Sequence, residues 1–347
     1  MARMADDVAA IRAHLGKINP SVFDGVILGP IRGRFEDVLH SQVSNAVNAQ
    51  TNAWQAGSEI SSTAAVYQQT DQAQSAAFDS KLADTKEYSW NEVKESTDKF
   101  GPAYTDVNNP QGRLIEPPDY DHEMSWSPSL LTDIGSISSA IRAMIKAIIQ
   151  VDPLQKVEEA IAGNWPAVRQ ISDRFNNAAW AFRDCADNIA NCQSSSEQDW
   201  TGHAADSARN YLGQLADGFS GEYQRNEYLA DQIKDLSESA METINTLVDI
   251  ASDWLNAKLM PALASIGIAG LTEEVPLVDI VTDVFAGYKV YEAVQAGVEV
   301  YEKATAINNI AEDLMNAFNL SQSGRLEVPT VDAPPMPTSP WVSPVAG

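Results

Sequence analysis

The sequence predicts an all-α protein: an elongated bundle of long antiparallel helical hairpins, followed by a disordered proline-rich tail. Three observations predict it. Apolar residues recur at spacings of three and four over long stretches, the period of a helix face. Alternating β-branched runs, and the Asn-Gly or Asp-Gly turns they would flank, are nearly absent. Prolines partition the chain, with none between Ile31 and Gly101 or between Ser129 and Gln150, a cluster from Pro102 to Pro128, and a second from Pro329 onward.

The first element is a short amphipathic helix carrying Val8, Ile11 and Leu15, which ends near Lys17 to Pro20. A glycine- and proline-containing turn, Gly25 to Gly33, leads into a long helix from near Arg34. Its inner stripe is mostly small: Leu39, Val43, Ala46, Ala49, Ala53, Ile60 and Ala64. Small residues allow neighbouring helices to approach closely. Residues 1–100 form this first unit, and residues 101–128 read as an irregular proline-rich linker.

Residues 129–258 hold the clearest periodicity. After Asn164, which can cap, and Pro166, which suits a first turn, Val168, Ile171, Phe175, Ala178, Phe182, Cys185, Ile189 and Cys192 make an unbroken heptad seam. That helix stops in Gln193 to Ser196. A second begins after Gly202, with Ala205, Ala208, Leu212, Leu215, Phe219, Asn226, Leu229, Ile233, Leu236, Ala240, Ile244 and Leu247 on one face. It can run to about Lys258, where Pro261 ends it. So short a connection makes the two antiparallel neighbours.

Residues 259–320 read as C-terminal helices, one with the stripe Leu277, Ile280, Val284, Tyr288, Tyr291, Val294, Val298 and Tyr301. Residues 321–347 read as the disordered tail. No apolar run reaches the ~18 residues of a membrane helix, so no transmembrane segment is expected. The acidic, apolar-poor N-terminus lacks the pattern of a Sec signal peptide.

Composition narrows the function. With 48 acidic and 23 basic residues the formal charge is −25. Such a polyanion is a poor ligand of nucleic acid or of anionic lipid, both of which need exposed lysine and arginine.

The hairpin tip reads Asp199-Trp200-Thr201-Gly202-His203-Ala204-Ala205-Asp206. A Trp-x-Gly between two long amphipathic helices, followed by an Ala-Ala-Asp helix start, resembles the Trp-X-Gly (ESAT-type) superfamily of type VII, or ESX, secretion substrates. Within it, this middle part looks most like the EspA type. The N-terminal part resembles the EspC type: Gly29-Pro-Ile-Arg-Gly-Arg-Phe35 opens a helix that closes with Ala64-Ala-Val-Tyr67-Gln-Gln-Thr-Asp71. Tyr67 and Asp71 stand at i and i+4 and so project from one face. The same pattern recurs at Tyr88 to Glu92 and Tyr223 to Glu227, but neither closes a helix. Trp54-Gln-Ala-Gly57 has the wrong spacing and lies inside a proline-free run.

The resemblance implies a non-enzymatic actinobacterial protein, associated with virulence. It implies export through type VII secretion to the envelope or medium, with Tyr67, Asp71, Trp200 and Gly202 as a composite secretion signal. Implied partners are the secretion ATPase and machinery, a co-secreted partner or chaperone, and a second copy of the chain. Alternatives remain: a delivery or adaptor module for another substrate or toxin, and a cytosolic structural bundle.

Cys185 and Cys192, seven apart on one helix, cannot bridge each other; they read either as small seam residues or as an intermolecular disulfide. Asp119, Asp121, His122 and Glu123 read as solvated linker rather than a metal site. No nucleophile elbow, phosphate loop or His-Glu-x-x-His occurs, so no catalytic, metal or cofactor site is expected.

Overall fold

A computed structural model of the chain describes residues 2–79, 105–123, 128–197, 200–265 and 288–322. Among these the regular structure is helical, and no strand is present. The helices are α1 (Ala2–Leu15), α2 (Gly29–Asp79), α3 (Pro128–Gly135), α4 (Ser139–Ile149), α5 (Pro153–Ile161), α6 (Trp165–Ser196), α7 (His203–Asp253), α8 (Met260–Ser265) and α9 (Tyr288–Gln322).

The spine of the molecule is α6 against α7. Asn164 caps α6 by accepting from the Ala167 N–H at 3.2 Å, with Pro166 in the first turn. Its expected seam is buried from Val168 through Ile189. The two helices run antiparallel. Gln193 meets Arg209 near one end, the Phe182 and Phe219 rings lie 6.0 Å apart, Ser172 meets Ala230, and Arg169 meets Glu238 near the other end. The α7 stripe is buried as read from the sequence, except that Leu236 is half-buried.

Around this spine, α1 buries Val8, Ile11 and Leu15 against α2 and α6. Near its N-terminus α2 packs Phe35 against Phe175 of α6 and Phe318 of α9, with Phe23 closing the cluster. Large aromatic rings therefore fix the N-terminal end of α2, while alanines line its continuation.

Five sequence expectations are corrected. First, α2 begins at Gly29 and runs through Asp71 to Asp79, because no proline or glycine follows Gly57 within it to stop the ladder. The Tyr67 to Asp71 segment therefore lies inside a helix and does not close one. Second, Ala56 and Thr63 are buried on its inner face, and Ala64 is exposed.

Third, the helix does not stop at Pro261. A π-turn, Trp254–Leu259, leads straight into α8, and the Met260 N–H bonds the Leu255 carbonyl five residues back. The wider ladder is how the chain passes a residue that lacks an N–H and would clash with the preceding turn.

Fourth, α9 buries Ala293, Ala296, Val300, Ala304, Ile307, Ala311, Leu314 and Phe318, while Tyr291 and Val298 are exposed. At the start of α9 the buried face carries small residues, Ala293, Ala296 and Gly297, where the helix lies close to Trp254. The Trp254 indole donates to the Ala293 carbonyl at 2.7 Å, and a Cβ at Gly297 would fall 3.1 Å from its ring. Leu277, Ile280 and Val284, and the tail from residue 323, lie outside the described residues.

Fifth, residues 105–123, part of the segment read as an irregular linker, are docked on the helices. They form a strap, with short 3-10 turns at Pro110–Arg113 and Asp121–Glu123, running antiparallel along the outer face of α6. Asn188 accepts from the Val107 and Asn108 N–H groups at 3.0 and 2.9 Å and donates back to the Asn108 carbonyl. Asn177 and Gln170 donate to the carbonyls of Ile115 and Pro118. Arg113 grips the buried Asp184 at 2.8 Å, and Tyr120 donates to Asp173 at 2.7 Å. The amides of α6 satisfy backbone groups that a proline-rich segment cannot pair with itself.

Candidate functional site

The α6–α7 tip is built by glycine and arginine. The Trp200 N–H donates to the Ser196 carbonyl at 3.1 Å. Gly202 then reverses the chain at φ 104° and ψ 176°, a region that a side-chain-bearing residue adopts only under strain. It stands as the N-cap of α7 and accepts from the Asp206 N–H at 2.9 Å. The Trp200 side chain is half-buried and packs on the main core. Its carbonyl accepts from Arg209, whose other nitrogen pairs with Asp206.

Tyr67 is exposed at 38 % on α2. The backbone of Asp71 is helical one turn further on; its side chain lies outside the described residues. Upstream of them, Gln42, Ala46, Ala49, Ala53, Ala56, half-buried Ile60 and Thr63 form one inward stripe at alternating spacings of four and three. Tyr67 is the next position of that stripe, four residues after Thr63.

Two hydrogen bonds fix how α2 lies on α7. Asn226 donates to Gln42 at 3.1 Å, and Asn45 donates to Glu222 at 3.4 Å. As residue number rises along α2 it falls along α7, so the pair is antiparallel. Tyr67 stands twenty-two residues beyond Asn45, and Trp200 twenty-two residues before Glu222. At 1.5 Å per residue both segments span about 33 Å of helix axis, apart from the short non-helical piece before His203. The register thus carries Tyr67 toward the level of the Trp200 turn. No ring contact or hydrogen bond joins the two side chains.

Of the other motifs, Trp54 is 61 % exposed on α2. Tyr223 donates to Glu227 along α7, and its ring stacks edge-on against Trp180; burial pushes its hydroxyl pKa up. Tyr88 and Glu92 lie outside the described residues. Cys185 is fully buried, with its thiol pKa raised well above the usual value by burial, while Cys192 is half-buried; both are free.

No group of three or more His, Cys, Asp or Glu with metal-binding geometry occurs among the described residues. A cavity of about 30 Å³ between α4, the π-turn, α8 and α9 is lined by apolar side chains, among them Met144, Ile148, Leu259 and Ala293. It offers no nucleophile and no proton donor. Among the described residues, no helix is long and apolar enough to cross a membrane. Comparison with protein-family models, curated proteins and solved structures gives no match.

Sequence reasoning missed Arg209, Gln193 and the Gln42–Asn226 pair. Only Asn226 carried a hint, as a polar residue on an apolar stripe. Nothing in sequence marks an arginine that reaches back nine positions.

Proposed function

We propose that this chain is a non-enzymatic substrate of a type VII (ESX) secretion system, exported folded and recognised through Tyr67, Asp71, Trp200 and Gly202 acting together. In this reading it is an actinobacterial envelope or secreted effector, built as an elongated bundle of helical hairpins with a disordered proline-rich tail. The secretion ATPase reads the face of α2 that carries Tyr67 and Asp71, and the Trp-Thr-Gly turn completes the signal. A co-secreted partner or a second copy of the chain is the expected companion outside the cell.

The observation that supports the reading is the antiparallel register of α2 on α7, which runs the Tyr67 end of one helix toward the Trp200 end of the other. The test is fractionation of cells expressing wild type, Tyr67→Ala and Trp200→Ala. Wild type is expected in the medium or envelope, and both variants are expected to stay in the cell while remaining helical by circular dichroism. Equal export of all three, or no export of wild type, overturns the proposal.

A further inference from the structure

The start of α7 is anomalous. Helices α4, α5 and α6 each donate a first-turn N–H to a polar N-cap side chain: Ser138, Asp152 and Asn164. The N-cap of helix α7 is Gly202, which has no side chain to accept such a bond, and no side-chain cap bond is present. A glycine there leaves the turn free to adopt many conformations in the absence of another restraint.

That restraint comes from the second turn of the same helix. Arg209 folds back toward the N-terminus, and its Nη1 donates to the Trp200 carbonyl at 2.7 Å. Its Nη2 pairs with Asp206 at 2.6 Å, which fixes the plane of the guanidinium. The Arg209 side chain is only 17 % exposed. From the other helix, Gln193 of α6 donates to the Arg209 carbonyl at 3.0 Å, so the arginine is held from both arms of the hairpin. Gly213 lies beside this contact, where a Cβ would come 3.4 Å from the Gln193 amide.

The charge placement is itself informative. A cation folded over the first turn of a helix opposes the helix dipole, which favours anions at that end. Asp206 offsets the charge, and the planar fork of arginine bonds two acceptors at once in a way that lysine cannot. What the arrangement gains is a fixed carbonyl at Trp200, and with it a fixed path for the chain into Gly202.

We propose that Arg209 is a positioning residue for Trp200. It acts as a remote cap that holds the Trp-Thr-Gly turn in one conformation and so presents the indole in one orientation. The functional importance of that orientation rests on the export reading above; the positioning itself does not.

The experiment uses the full chain labelled with 5-fluorotryptophan and observed by fluorine NMR. Trp200→Phe assigns the Trp200 line among the 8 tryptophans. In Arg209→Met the Trp200 line is expected to shift and broaden while the other lines keep their positions. Arg209→Lys is expected to recover part of the shift, and Asp206→Asn to perturb it less than Arg209→Met. An unmoved Trp200 line in Arg209→Met overturns the proposal. So does a collapse of all the lines in both Arg209 variants, since the arginine would then hold the whole fold rather than the turn. If the Trp200 line moves but Arg209→Met is exported like wild type, the positioning stands and the orientation of the indole is not what export depends on.

Discussion

Asn226 of α7 donates to Gln42 of α2 across a contact in which Asn226 has no exposed surface and Gln42 is 5 % exposed. This pair, with Asn45 and Glu222 one turn away, is a polar layer at the start of an α2 stripe that continues mostly as alanine. Alanine repeated at heptad spacing carries little shape information, and a buried amide pair can specify alignment where packing does not. The Phe35 cluster anchors one end of α2, and the amide pair holds the helix where that cluster no longer reaches.

Asn226→Ala strands the Gln42 amide in an apolar seam and is expected to cost about 1–3 kcal/mol. The double variant Gln42→Leu/Asn226→Leu removes both partners and is expected to cost less than the single change, or nothing. Urea unfolding of the three proteins measures both. A double variant less stable than Asn226→Ala would show that the pair does not act as a unit.

Acid sensitivity should begin with His14. This side chain is 3 % exposed, its Nε2 has no hydrogen-bond partner, and burial together with the Arg174 guanidinium lowers its pKa from 6.5 to about 4. Between those values the unfolded chain binds a proton that the folded chain refuses. Stability is therefore full above pH 6.5 and falls as pH drops toward 4, by up to about 3 kcal/mol. Glu116, held down to about 2 by hydrogen bonds from Lys17 and Arg174, adds a loss in a lower window, below 4.5. The urea midpoint of His14→Gln should change less than that of wild type between pH 7 and pH 5. Parallel curves would remove His14 as the cause.

Any disulfide between chains must use Cys192. Cys185 is fully buried with a raised thiol pKa, so its thiolate is both scarce and unreachable. Alkylation of the native protein is expected to modify Cys192 first. If an oxidised dimer forms, Cys192→Ser abolishes it and Cys185→Ser does not, as non-reducing electrophoresis would show. The opposite pattern would require α6 to open.

The sequence was legible wherever one side chain type decided the outcome. The α6 seam from Val168 to Ile189 follows from apolar periodicity, and the Gly202 reversal from glycine's backbone freedom. It was misread where small residues fill both sides of a helix. In α9, tyrosines and valines gave the stronger apolar stripe, yet at its start alanines and Gly297 face inward, where the helix lies close to Trp254. Proline density likewise marked an irregular linker at 101–128, and gave no sign that the amides of α6 bind residues 105–123 as a strap.

The all-α class, the antiparallel α6–α7 pair and the position of the Trp-Thr-Gly turn belong to the sequence itself, because periodicity and backbone freedom are local properties. The placement of α2 on α7, the strap on α6 and the reach of Arg209 to Trp200 belong to the tertiary structure. Each joins residues whose partners are set by how whole helices pack. The Gln42–Asn226 bond spans 184 positions and leaves no trace in either local sequence.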